Sequence, residues 1–193
     1  MDPYRYLPFI SRKVMQAWAE RDQPPERVSW TPLTTPLSQC RVALISTAGI
    51  AMIGDEPFDE QAERDDPWRG DDSWRAVAAT ATATDVRIHH LHIDRAPIEE
   101  DLEVVLPGRG LAELAATGVI GEANHRHFSI MGYILDAAEL VTATAPELGS
   151  ELAADDVDLV LLVSRATSPT PWADQRLACL WPKGDRRVFG VAS

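Results

Sequence analysis

RVALISTAGI, residues 41–50, decides the reading of the fold. Five of its first six residues are apolar or small, and it ends in a turn of small residues, Ser46-Thr47-Ala48-Gly49. A strand that alternates apolar and polar residues has one wet face, whereas a near-continuous apolar run implies a strand covered on both faces. That is the usual situation in a parallel sheet. A second such run, VDLVLLV at 157–163, has the same character, and RVFGVA at 187–192 reads as a last strand.

Between these runs the pattern changes to helical spacing. RGLAELAAT at 109–117 spaces Leu111, Leu114 and Ala115 along one face, with Gly118 as its C-cap. PELGSELAA at 146–154 opens on Pro146, where a missing N–H costs nothing. The spacing of Ile130, Ile134 and Leu135 predicts another helix over 128–140, and 171–181 reads as a further one. Residues 85–94 (DVRIHHLHID) read as a strand and 104–106 as a short extended piece. Strands and helices alternate at short intervals, so the expected fold is α/β. The expectation is a mainly parallel, flavodoxin- or Rossmann-like sheet flanked by helices, in a single domain over 39–193. Residues 1–38 precede it as a helix over 11–21 and an extended arm, because Pro24, Pro25, Pro32 and Pro36 exclude a long regular element there.

The chain has 193 residues, 18 Lys+Arg against 30 Asp+Glu, and a net charge of −12. Phosphate neutralisation needs clustered cations, so the balance argues against nucleic acid as a partner, and equally against an anionic membrane surface. No apolar run reaches the ~18 residues of a membrane span. The N-terminus lacks the basic-then-apolar order of a signal peptide, which makes the cytoplasm the expected compartment. Much of the acidity lies in residues 54–75 (GDEPFDEQAERDDPWRGDDSWR), expected to be a long surface loop. It is a candidate contact for a partner subunit or for a second copy of the chain, or else simply solvated. Cys40 and Cys179, the two cysteines, form no CxxC pair or disulfide framework.

The histidines carry the chemistry. In HHLHID, 89–94, a strand would put His90, His92 and Asp94 on one face, same-face neighbours being roughly 7 Å apart. Two imidazoles at that spacing can converge on a divalent metal, Zn or Fe, with His127 of the His125-Arg126-His127 pair as third ligand. His90, His92, His127 and Asp94 are equally candidates for acid/base work. The bland alternative is that these are satisfied or solvated polar groups at a sheet edge. The turn at Ser46, Thr47 and Gly49 lies at the carboxyl end of a strand, where open α/β sheets bind small molecules. Ser129 and Tyr133 in HFSIMGY, 127–133, join it as candidate substrate contacts. The turn is no GxGxxG or Walker sequence, so no nucleotide cofactor is indicated. The absence of a nucleophile elbow argues against a Ser-His-Asp hydrolase.

Several segments occur together in order: 42–49, Pro57-Phe58-Asp59, 70–75, His90-x-His92-x-Asp94, Gly118-Val119-Ile120-Gly121, 127–134, Ala145-Pro146-Glu147-Leu148 and the strand ending at Val163. Over about Trp30 to Val163 the chain resembles the selenoprotein B family of the glycine/sarcosine/betaine and D-proline reductases. The resemblance implies reductive carbon–nitrogen cleavage in small amino-acid-like substrates, in multi-protein complexes. It implies a selenocysteine or cysteine in the segment after the last strong strand. Here that segment reads SRATSPTPW, residues 164–172, without a thiol. A hydroxyl cannot replace a soft redox nucleophile. The expectation is therefore an enzyme that keeps the pocket and changes the chemistry, by His- or metal-assisted cleavage or rearrangement at a carbon–heteroatom bond. The alternative is a non-catalytic accessory or binding subunit.

Overall fold

The computed structural model describes residues 35–65, 70–91, 93–132, 134, 136 and 138–164, the backbone of 187–192, and Phe9, Lys13 and Leu33. The helices expected over 11–21 and 171–181 fall outside these residues, as does most of the extended arm. Its last residues, Leu37–Gln39, form a 3-10 turn.

The fold is mixed α/β. In chain order the strands are β1 (Arg41–Ser46), β2 (Ile50–Met52), β3 (Trp74–Ala78), β4 (Val86–Ile88), β5 (Glu122–Ala123), β6 (Arg126–Ile130), β7 (Leu159–Val163) and β8 (Arg187–Ala192). The α-helices are α1 (Glu60–Asp65), α2 (Ala96–Glu100), α3 (Gly108–Ala116) and α4 (Ala145–Ala154). The main sheet runs β3-β6-β1-β7-β8, and β5 pairs with β1 ahead of β6. β1 pairs in parallel with β5, β6 and β7, and β7 with β8. β3 is antiparallel to β6, and β2 with β4 forms a separate antiparallel pair. The expected mainly parallel, flavodoxin- or Rossmann-like sheet flanked by helices is therefore corrected to a mixed sheet with antiparallel strands, and among the described residues the α-helices are few and short.

β1 behaves as its sequence requires. Val42 to Ser46 are all buried, and alternate residues enter two different cores. Ala43 and Ile45 pack with Phe128, Ile130, Leu148, Leu152 and Val160 on one face. Val42 and Leu44 pack with Ile50, Val77, Ile98 and Leu111 on the other. Helix α3 ends where expected. Gly118 has φ +74°, and Val119 N–H reaches back to the Leu114 carbonyl at 3.0 Å. α4 and β7 also match their expected positions.

Three expectations are corrected. Residues 126–130 form a strand, not the start of a helix over 128–140. Phe128 and Ile130 enter one core while His127 and Ser129 point to the other face, a period of two that the later Ile134 and Leu135 obscured. The strand expected over 85–94 stops at Ile88. The backbone then turns, so His90 and Asp94 do not share the face of one strand. No strand forms over the expected extended piece at 104–106: Val104 closes a 3-10 turn over Leu102–Val104, and Val105 caps it with φ −127° and ψ −14°. The acidic stretch 54–75 also holds more structure than a solvated loop. Asp59 accepts the N–H groups of Gln61 and Ala62 at 3.0 and 2.9 Å, which caps α1. Arg75 donates to the carbonyls of Glu56 and Pro57 at 2.6 and 2.8 Å, and its guanidinium lies 4.5 Å over the Phe58 ring. The far edge is tied by Arg126, which meets Asp155 through two bonds of 2.7 and 2.8 Å and Glu151 through a third at 2.8 Å. The guanidinium holds the Asp155 carboxyl below its ordinary range.

Candidate functional site at the strand carboxyl ends

The register of the parallel strands sets Ser46 beside Ser129 of β6 and Val163 of β7. Their carboxyl ends therefore lie side by side, and the Thr47-Ala48-Gly49 turn crosses between them. Gly49 holds the left-handed conformation, φ +64°, that a turn this tight demands. The turn's backbone is committed to the scaffold. Thr47 N–H donates to the Val163 carbonyl at 3.1 Å, Gly49 N–H to Ile130 at 3.0 Å, and the Gly49 carbonyl accepts His89 N–H at 2.8 Å. This brings the chain after β4 onto the ends of β1 and β6.

The hydroxyls are committed as well. Ser129 Oγ accepts Ile50 N–H at 2.8 Å and donates to the Ser46 carbonyl at 3.2 Å. Ser46 Oγ accepts Ala48 N–H at 3.3 Å. Ser46 and Ser129 are fully buried and Thr47 nearly so. These residues, with Gly49, form the floor of the strand ends. Tyr133 and His92 lie outside the described residues.

His90, fully buried, sits with Thr47 and Gly132. A Cβ at Gly132 would stand 3.0 Å from His90 Nε2 and 2.5 Å from the Thr47 carbonyl oxygen. His127 does something different. The pairing of β1 with β5 ends at Val42 and with β6 begins at Ile45. In the gap, Leu44 N–H points to His127 Nδ1 at 3.4 Å. A side-chain nitrogen stands in for a missing ladder carbonyl. Burial pushes this imidazole down to about 4, so it is neutral at pH 7. Its Nε2 makes no hydrogen bond and lies beside Gly108. His127 is thus a core histidine. Its companion His125 is exposed, and Asp94, also exposed, accepts Ala96 N–H at 3.1 Å in a turn that starts α2. Among the described residues, no three His, Cys, Asp or Glu side chains come together as a metal ligand set.

Sequence reasoning missed His89. Its Nδ1 lies 3.2 Å from Glu60 Oε1, and Arg95 Nη2 approaches the same oxygen at 3.4 Å. Its ring packs tilted against Phe58 at 6.0 Å. Burial lowers its pKa, partly opposed by the Glu60 carboxylate. Alternation in β4 was the local signal, since Val86 and Ile88 are buried while Arg87 is exposed. Glu60 lies too far away in sequence for any spacing to reveal the pair.

Cys40 is buried at the opposite, amino end of β1, with Sγ 3.4 Å from the Pro36 carbonyl. Six strand residues separate it from the turn, roughly 20 Å at ~3.3 Å per residue. It therefore does not supply a thiol at the strand ends. Cys179 lies outside the described residues.

Known proteins share this chain's pattern. The family model described as glycine/sarcosine/betaine reductase selenoprotein B matches residues 22–165. The chain belongs to the selenoprotein B family. The matched span takes in every element from β1 to β7, so the strand-end turn and both His89 and His90 fall inside it. D-proline reductase subunit gamma of Acetoanaerobium sticklandii is 29% identical over 135 residues, which cover 70% of this chain and 52% of that protein. The chain spans about half the length of this curated relative. No solved structure matches. No helix among the described residues is long and apolar enough to cross a membrane.

Proposed function

We propose that the chain is a redox-silent subunit of a reductase-type assembly that handles a small amino-acid-like substrate. The observation that carries this reading is the exit of β7. The family resemblance implies a selenocysteine or cysteine after this strand, whereas here Ser164 follows Val163 and no Cys occurs between Val163 and Cys179. The family match runs through every element from β1 to β7, and the strand-end hydroxyls and amides serve the scaffold. Both features suit a chain that supports chemistry done by another subunit. The relative's own description as a subunit supports the same reading. The stretch 54–75, anchored by Arg75, is then the candidate contact with that subunit.

Purified chain with dithiothreitol as reductant is expected to leave glycine, sarcosine, betaine and D-proline unconsumed. The Cys40→Ser/Cys179→Ser variant is expected to behave identically. In native extract the chain is expected to elute well above 21.3 kDa. Consumption of any of these substrates by the chain alone, abolished in Cys179→Ser, overturns the proposal. So does elution as a monomer from native extract.

A second reading, an enzyme in its own right, is favoured by His90 standing beside Thr47 and Gly132 at the strand ends. In it His90 and His92 bind Zn or Fe, or act as acid/base groups, for carbon–heteroatom cleavage. Metal analysis of purified chain separates the two. This reading expects stoichiometric metal that is lost in both His90→Ala and His92→Ala. Unchanged metal content in the variants, or a metal-free chain with activity unaffected by them, rules it out.

A further inference from the structure

We infer that a cleft between α1, β4 and α2 binds a small carboxylate, independently of the strand-end site. The cleft has a volume of about 350 Å³ and is walled by Glu60, Arg87, His89, Arg95 and Glu99 over an apolar base that includes Val86, Ile88 and Ile98. That size lies at the lower end of the range for small-molecule pockets, which combine an apolar base with a few converging polar groups.

The two arginines are the reason to expect an anion. Arg87 is exposed on β4 and makes no ion pair among the described residues. Arg95 makes contacts with Glu60 and the His90 carbonyl, both at 3.4 Å. These are beyond the usual 2.7–3.2 Å of an N–H···O bond. Each guanidinium carries five donors in a fork that matches a carboxylate. Most of those donors are unspent. In a chain of net charge −12, cations left over at the wall of a cavity stand out.

The walls also set the charge of the ligand. Glu60 is already engaged, by His89, by Arg95 and by Arg64 at 3.2 Å. Its oxygen holds the His89 ring by Nδ1, so this imidazole is fixed in the wall rather than free to swing. Glu99 adds a further negative charge. Two carboxylates and two arginines line the same cleft, so each further negative charge on a ligand adds repulsion from Glu60 and Glu99, and a monoanion that can sit in an arginine fork is favoured over a dianion such as phosphate. The two adjacent histidines thus serve different places. His90 packs on the strand ends and His89 lines this cleft.

The test is a titration of the full chain with sodium acetate, and separately with inorganic phosphate, at ionic strength held constant with sodium chloride. Arginine Nε–H and histidine ring resonances are the readout. Acetate is expected to shift Arg95 and His89 saturably. Arg87→Met and Arg95→Met are each expected to weaken binding at least tenfold, and Arg95→Lys less. Arg109→Met, which removes an exposed partner of Asp101 at 3.3 Å, and Ser46→Ala at the strand ends are expected to leave it unchanged. Circular dichroism of each variant confirms folding, with Arg95→Lys as the milder probe if Arg95→Met unfolds. Shifts that fail to saturate overturn the inference. So do equal responses in Arg87→Met, Arg95→Lys and wild type, or saturation by phosphate at lower concentration than acetate. Loss of binding only in Ser46→Ala assigns acetate to the strand ends and likewise overturns it.

Discussion

Gly132→Ala is expected to destabilise the protein by about 3 kcal/mol, the upper part of the range for forcing one methyl into a close-packed interior. The added Cβ would lie 2.5 Å from the Thr47 carbonyl oxygen and 3.3 Å from Thr47 Cβ. Neither neighbour can give way easily. Thr47 is held by its N–H on the Val163 carbonyl, and the turn it opens is pinned to β6 through Gly49. The nearest flexible atom, His90 Nε2 at 3.0 Å, sits in a fully buried ring. Relief therefore requires the β1 turn to shift against β6 or β7. Gly110→Ala is the control. Its Cβ would meet only Glu103 Oε2, at 3.7 Å, within helix α3. Replacing a helical glycine by alanine there is expected to be neutral or to stabilise by up to about 1 kcal/mol. Urea unfolding of the three proteins reads both signs. Equal midpoints for Gly132→Ala and wild type would show that the close contact is absent.

The second large effect is acid lability below neutral pH. His127 titrates near 4 in the folded chain instead of at its ordinary 6.5. Its folded pKa is depressed, so between these values the unfolded chain binds the extra proton and the folded chain does not. Stability then rises with pH across this window. The contribution is complete above about 6.5 and is lost as pH falls towards 4. The drop from 6.5 to about 4 corresponds to roughly 3 kcal/mol. The lowered pKa of His89 acts in the same direction. The depressed carboxyl of Asp155 acts lower, its stabilisation vanishing as pH drops below the ordinary carboxylate value. Protonation of His127 also places a hydrogen on Nδ1, where Leu44 N–H now points. The gap in the ladder would then hold two donors face to face. In His127→Gln the decline between pH 6.5 and 4 is expected to flatten by most of this amount. Unfolding free energies at several pH values measure it. The His127 ring resonances in wild type provide an independent reading should the variant fold poorly. A wild-type His127 that titrates near 6.5 would refute the explanation.

The parts legible in sequence were those whose pattern matched their surroundings. Residues 42–45 and 159–163 are apolar without interruption because both faces are covered, and α3 shows its helical stripe and its terminal glycine. β3 went unread because Ala76, Val77 and Ala78 sit in an alanine- and threonine-rich stretch with little contrast between faces. β6 was obscured because Phe128 and Ile130 are followed by Ile134 and Leu135 at helical offsets. The site was harder still. Whether His89 or His90 faces the strand ends depends on where the chain leaves β4, and Ile88 carries no mark of being the last residue. That His127 completes a backbone ladder depends on two unconnected strands failing to meet at Leu44. No local pattern encodes such a vacancy.

The order of strands in the main sheet has a consequence for how the chain reaches this structure. β1 lies at the centre, yet its partner β7 is made far later. The bond from Arg41 N–H to the Asp158 carboxylate, at 2.9 Å, already spans 117 residues. Pairings this distant close large loops before they return any contact energy, and such topologies fold slowly. On the ribosome the apolar β1 must wait with one edge open until more than a hundred further residues have emerged. Both of its edges wait, since β5 and β6 on the other side also follow it by some eighty residues, and the β7 edge is the last whose partner is made.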